Sequence, residues 1–218
     1  MTEQQIFNFD SNSIYLEENF IKDISNLDVF NYLLKFPKWE NRLINLYGEK
    51  KSGKTFLLNI LKRKENFFYL CHNDEFEKNF ESLFLQEKLI IDDVSVDENK
   101  MFSLINNFIL HDKYLIISSR VPITSVKVNL KDLSSRLNQF YMLEIKNPSD
   151  NLVYSLIMKF FSDNQVVIRK ELIENIVKKI DRSYLRIDDF LTKLNKLSII
   201  KKKKIDYKLI NEVFDTMS

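Results

Sequence analysis

The chain has 218 residues, is 44% hydrophobic and carries a formal net charge of only +2. It can bury a core of one ordinary domain or two small ones, and no whole-chain attraction to nucleic acid is implied. No apolar run reaches the roughly 20 residues of a membrane span, the N-terminus lacks the pattern of a secretory signal, and the single Cys71 cannot close an internal disulfide. A cytoplasmic protein is the expectation.

There are two glycines, three prolines and no alanine. An AT-biased coding sequence accounts for that drift. Its consequence is that a surviving glycine marks backbone that needs one.

Residues 1–19 are mostly polar and predict an extended arm. Residues 25–36 place Leu27, Phe30, Leu33 and Leu34 on one face, a helix with Ser25 as its N-cap that stops before Pro37. Residues 43–47 form a short apolar run, a strand that ends at Gly48. A helix over 55–63 and a strand over 67–70 follow. Leu89, Ile90 and Ile91 make a third strand, closed by Asp92 and Asp93. A helix over 99–110, a strand over 114–118 and a strand over 140–145 complete the alternation. Continuous apolar strands between helices predict an α/β fold with a five-stranded parallel sheet covered on both faces.

At Asn147-Pro148-Ser149-Asp150 the pattern changes, with Ser149 or Asp150 as a helix cap. Beyond it only helical periodicity remains, in stripes around Leu152–Phe161, Leu172–Ile180, Ile187–Leu197 and 205–214. These predict a bundle of three or four helices. Residues 149–218 carry 14 Lys and Arg against 10 Asp and Glu, helped by Lys201 to Lys204. That run reads as a solvated loop, with DNA phosphates as the alternative contact.

Gly48-Glu49-Lys50-Lys51-Ser52-Gly53-Lys54-Thr55 is a full G-x-x-x-x-G-K-T motif between a predicted strand and a predicted helix. Glycines let such a loop wrap a phosphate with its N–H groups, and the helix N-terminus adds its positive end. Lys54 is expected at the β/γ-phosphates and Thr55 on Mg²⁺. Asp92 is expected to hold the same Mg²⁺ through water, and Asp93 to orient or deprotonate an attacking water. The polar strand tip Ser118-Ser119-Arg120 is a candidate contact for a γ-phosphate or that water. His72, His111 and Cys71 show no ligand or triad spacing and read as structural.

The order of these features resembles the AAA+ ATPases, within them the DnaA initiator clade, and most closely the Hda group of DnaA-related regulators. Residues 20–26 resemble the segment that frames adenine, which places Ile21 at the base. Phe36-Pro37-Lys38-Trp39 resembles a Trp-Pro-x-Trp stretch of short members. Asp132-Leu133-Ser134-Ser135-Arg136-Leu137 resembles the box of the arginine finger, at Arg136. Arg182-Ser183-Tyr184-Leu185-Arg186 resembles the lid motif whose last arginine, Arg186, touches nucleotide. Gln5-Ile6-Phe7-Asn8-Phe9 resembles the sliding-clamp peptide, with Gln5, Ile6, Phe7 and Phe9 as contacts and Asn8 as a departure.

The resemblance implies an arm over 1–19, a nucleotide-binding core over 20–147 and a helical lid over 148–218. It implies ADP or ATP with Mg²⁺ as cofactors, and DnaA and the sliding clamp as partners, with DNA reached through the clamp and self-association possible. The chain ends soon after the lid, so a sequence-specific initiator is not the expectation. A regulator that promotes hydrolysis of DnaA-bound ATP is expected first. A stand-alone helicase-loader type of ATPase and a non-catalytic nucleotide-bound adaptor are the alternatives.

Overall fold

The computed structural model describes residues 15–217 apart from 94 and 96. The peptide at Gln5, Ile6, Phe7 and Phe9 lies outside the described residues. Five strands, β1 (Leu43–Gly48), β2 (Phe68–Leu70), β3 (Lys88–Asp92), β4 (Tyr114–Ser119) and β5 (Tyr141–Ile145), form one sheet in the order β2-β3-β4-β1-β5. Every pairing is parallel. The predicted five-stranded parallel sheet is present, with β4 lying between β1 and β3.

Parallel strands need crossovers, and here helices supply them. Ile44, Leu46, Ile90 and Ile116 face one side, where α1 (Leu27–Leu33) and α2 (Lys54–Glu65) cover them. Leu43, Leu89, Ile91, Leu115 and Ile117 face the other side. There they meet α3 (Asn73–Leu83), α4 (Glu98–Leu110) and α5 (Lys131–Leu137) through Phe76, Leu83, Phe108 and Leu133. The alternation along each strand is the period-2 consequence of the pleat, with both faces apolar.

The remaining helices, α6 (Asp150–Asp163), α7 (Lys170–Lys179), α8 (Tyr184–Lys201) and α9 (Tyr207–Met217), bury a separate core around Ile157, Ile176, Phe190 and Ile210. Ser149 caps α6 by accepting the Leu152 N–H at 3.2 Å. The run Lys201 to Lys204 closes α8 as exposed surface, and Lys201 pairs with Glu212.

Some local expectations change. Ser25 does not cap α1. Asn26 holds that position without a side-chain bond, because the Ser25 hydroxyl is spent on Asp23 at 2.7 Å. The arm is not wholly free. From Tyr15 it lies on α2, with Tyr15 edge-on to Phe56 and Glu17 paired with Lys64. Helices α3 and α5 are additions to the sequence reading. Trp39 is buried and donates to the Tyr32 carbonyl at 2.8 Å. Cys71, His72 and His111 all lie on the surface. Among the described residues no helix is long and apolar enough to cross a membrane.

Phe190 is fully buried at the centre of the helical core. Phe190→Ala is expected to destabilise the protein by about 3–5 kcal/mol, read from urea unfolding followed by circular dichroism.

Candidate functional site

The site begins at the C-terminal tip of β1. Gly48 cannot carry a side chain there, because a Cβ would lie 2.9 Å from the Ile145 carbonyl oxygen. Gly53 takes φ 98°, in the left-handed region, and is the N-cap residue of α2. Lys51 takes φ 72°, an uncommon angle for a residue with a Cβ. Between the glycines the chain folds back on itself through the Ser52 N–H bond to the Glu49 carbonyl. Twelve-residue α2 then points its N-terminus at the enclosed space.

Lys54 is buried and its ammonium donates to the Gly48 and Glu49 carbonyls at 2.7 and 3.0 Å. Burial pushes its pKa down, while Asp92 and Asp93 pull it up. A phosphate oxygen satisfies such an ammonium better than two carbonyls do, since the bond is then charge-assisted on both sides.

The parallel register sets Asp92 of β3 opposite Ser118 of β4. Asp92 is buried, and three hydroxyls satisfy it. Thr55 and Tyr69 donate to Oδ2 at 2.7 and 2.6 Å, and Ser118 donates to Oδ1. The Ser118 oxygen in turn accepts the Asp93 N–H at 3.1 Å. Asp93 takes φ 55° and its carboxylate lies 3.4 Å from Arg120. The loop residues, Asp92, Asp93 and Ser118 are thus brought together as expected. Thr55 and Asp92 offer adjacent hard oxygens, and no cluster of three or more His, Cys, Asp or Glu builds a metal cage among the described residues. That donor set fits Mg²⁺, which takes one or two protein oxygens and completes its shell with phosphates and water.

Beside the loop lies a cavity of about 180 Å³. Phe20, Ile21, Gly53, Leu152, Leu156 and Tyr184 are among its walls. The cavity is bounded by the N-terminal segment, the loop, α6 and α8.

Arg186 is not among those walls. Tyr184, Ile187, Asp188 and Leu191 turn one side of α8 toward the loop, and Arg186 falls on the opposite side of the helix. Its guanidinium is exposed and meets the Met217 carbonyl at 3.5 Å. The packing of Tyr184, Ile187 and Leu191 dictates this rotation. The lid instead touches the loop through Ser183, Tyr184 and Asp188. Arg136 is half-buried near the end of α5, on the other side of the sheet from α2, and has no ion-pair partner among the described residues.

Three further residues support the site. Asn45, fully buried in β1, donates to the Ile117 carbonyl and to Ser119 Oγ and accepts the Ile123 N–H. It fixes the tip of β4 from inside the sheet. An amide inside an apolar strand run was the available signal. Tyr69 orients Asp92, and burial followed by that bond raises its phenol pKa. Asp23 accepts Ser149 Oγ at 2.6 Å and Ser25 Oγ at 2.7 Å, tying the N-terminal segment to the start of the lid. Nothing local in the sequence marks Tyr69 or Asp23.

No protein-family profile matches the chain. Its sequence is 22% identical over 232 residues to the chromosomal replication initiator protein DnaA of Buchnera aphidicola subsp. Cinara cedri, covering 94% of this chain. Domain III of the Thermotoga maritima replication initiation protein DnaA superposes with a TM-score of 0.73 at 19% identity, over 93% of this chain and 96% of that one. The chain is similar to DnaA proteins in sequence and shares the AAA+ fold of DnaA domain III. An AMPPCP-bound DnaA from Aquifex aeolicus shares the fold at a TM-score of 0.65 and 20% identity, over 86% of this chain and 66% of that one. The chain spans about half the length of the curated relative, 53% of the Buchnera protein.

Asp23 supplies a pH test. Burial opposes ionisation, but the bonds from Ser149 and Ser25 outweigh it and hold the carboxyl below its usual 3.8. A depressed pKa stabilises the fold above the unfolded-state value, and that gain is lost as pH falls through the folded value. Asp23→Asn is therefore expected to lower the urea midpoint at neutral pH. The gap from wild type should close as pH falls through the depressed folded value, where both side chains are uncharged.

Proposed function

We propose that this chain is an adenine-nucleotide-binding AAA+ protein of DNA replication. The observation that carries the reading is the phosphate loop 48–55 joined to Asp92 through Thr55, 2.7 Å away. Loop N–H groups and Lys54 hold the phosphates, Thr55 and Asp92 hold Mg²⁺, and the cavity walled by Phe20, Ile21 and Leu156 takes the base. When bound, Mg²⁺ neutralises charge on the phosphates. Asp93 serves the terminal-phosphate end as base for a water, and Ser118 positions Asp93 by accepting its N–H while donating to Asp92. Relatedness to DnaA and the likeness to a DnaA bound to an ATP analogue support this assignment.

Calorimetry with ATP and ADP in the presence of Mg²⁺ tests it. Lys54→Ala is expected to weaken both nucleotides at least about tenfold, the worth of one charge-assisted hydrogen bond. Equal binding by variant and wild type refutes the site.

The finer reading is an Hda-type regulator that meets DnaA on the sliding clamp and lowers the level of DnaA–ATP. The Asp132–Leu137 box and the Gln5–Phe9 peptide support it by resemblance. The half-buried Arg136, free of an ion-pair partner among the described residues, suits delivery to a partner's nucleotide. A guanidinium stays charged and can bond two phosphate oxygens at once. With DnaA–ATP and a DNA-loaded clamp, this protein is expected to stimulate hydrolysis. Arg136→Ala should remove that stimulation, which for arginine fingers supplied in trans runs to about 10³–10⁵ in rate. Stimulation undiminished in the variant would leave the tethering adaptor as the better description.

A further inference from the structure

Two side chains of the phosphate loop, those of Glu49 and Lys51, reach α8 or its N-cap. The Glu49 carboxylate reaches across to the start of α8. One oxygen accepts the Ser183 hydroxyl at 2.5 Å and the other accepts the Tyr184 backbone N–H, also at 2.5 Å. Ser183 is the N-cap of α8, and its own oxygen accepts the Arg186 N–H at 3.1 Å. Glu49 thus extends the cap of an 18-residue helix from outside, placing a negative charge against the positive end of its dipole. One turn further along α8, Asp188 meets the Lys51 ammonium at 3.4 Å. Lys51 makes this reach from a left-handed backbone.

The helix so held is a wall of the nucleotide cavity. Tyr184 lines that cavity together with Leu152 and Leu156 of α6. The opposite attachment of the lid lies at the chain crossing, where Tyr184 Oη donates to the Lys146 carbonyl at 3.1 Å and Ser149 donates to Asp23. Besides Lys159, which donates to the Asn19 carbonyl at 2.9 Å, two sets of contacts hold the lid. One lies beside the covalent connection at residues 146–149. The other, made by Glu49 and Lys51, joins the loop to α8.

We propose that Glu49, with Lys51 in support, is a positioning residue that clasps the lid shut over a bound adenine nucleotide and so sets how slowly the nucleotide leaves. The inference rests on the nucleotide-site reading above. Glu49 carries most of the effect, because both its oxygens are engaged and it is half-buried. The Lys51–Asp188 pair is exposed on both sides, and such pairs contribute little. The clasp also links the two ends of one loop. Lys54 bonds the Glu49 carbonyl, so a phosphate that draws Lys54 inward acts on the residue that holds the lid.

The experiment uses the full chain and a fluorescent N-methylanthraniloyl-ADP, chased with excess unlabelled ADP in a stopped-flow instrument. Glu49→Ala is expected to speed dissociation at least about tenfold, the worth of a charge-assisted hydrogen bond at the cap. Glu49→Gln keeps an acceptor for Ser183 but loses the charge, and should fall between the two. Asp188→Asn should change the rate by less than about twofold. A dissociation rate in Glu49→Ala equal to wild type overturns the clasp. So does an increase matched by Asp188→Asn, which would point to general loosening of α8.

Amide hydrogen exchange without nucleotide supplies the second readout. Glu49→Ala should expose the Tyr184 N–H to exchange while the amides at Phe190 and Leu191, deep in α8, keep their protection. Unchanged protection at Tyr184 also overturns the clasp. A wild-type protein that binds no labelled nucleotide would refute the nucleotide site instead, and the exchange result would still decide the clasp.

Discussion

A buried carboxylate must be satisfied, and Asp92 is satisfied from three separate parts of the chain. Thr55 reaches it from the start of α2, Tyr69 from β2, and Ser118 from β4. Leaving such a group unpaired costs several kcal/mol, so the three donors and their parent elements are constrained together. The parallel register makes this possible. It brings the C-terminal tips of β1, β3 and β4 to one edge, where β1 delivers the loop, β3 the carboxylate and β4 the hydroxyl. Ligands of open α/β sheets bind at that edge for the same reason. Asn45 completes the arrangement from within, since its amide pins the tip of β4 to β1.

Contacts of short range were legible in the sequence, and contacts across long separations were not. The loop 48–55 is contiguous, so its glycines, lysine and threonine announce it. The strands are runs of three to six mostly apolar residues, and the sheet order follows once β4 is given its place. Helix α3 escaped because only Phe76, Phe80 and Leu83 of its eleven residues offer an apolar stripe, among seven Asn, Asp, Glu and Lys. Arg186 shows the converse failure. A motif was legible, but the rotation of α8 is set by which residues bury, and Tyr184, Ile187 and Leu191 outweigh an arginine. Ser25 sits where a cap belongs and is drawn away by Asp23. Glu49 meets Ser183 across 134 positions, a pairing that no local pattern encodes.

The apolar cores of the sheet and of the helical unit meet the site in different ways. The sheet and its helices form a continuous interior from Leu33 to Ile145, so their relative placement is set by close packing. The helical unit has its own core around Ile157 and Phe190. It joins the sheet through Leu152 and Tyr184, together with hydrogen bonds at Asp23, Ser25, Lys146 and Glu49. Polar contacts of this kind are each worth about 0.5–1.5 kcal/mol net, or somewhat more where a charge takes part. They exchange with water and with phosphate at modest cost. The packed interior therefore fixes the loop 48–55, while the helical unit is held by polar contacts that charge can rearrange.

The glycine distribution separates two reasons for keeping that residue. Lys51, Asn66, Asp93, Asp112, Gln165 and Lys202 all take positive φ with a side chain present. Each accepts roughly 1–2 kcal/mol of backbone strain, so a left-handed angle alone does not compel glycine in this protein. What differs at Gly48 and Gly53 is space. A Cβ at Gly48 would meet a backbone oxygen at 2.9 Å, in the strand pairing of β1 with β5, where nothing can give way. At Gly53 it would come within 3.2 Å of the Phe20 ring, on top of a φ of 98°. The first contact sets how closely the loop lies against the sheet, and the second how closely Phe20 and the cavity it lines lie against the loop. Steric closeness, rather than conformational freedom by itself, is what the two remaining glycines supply, and both supply it in the same loop.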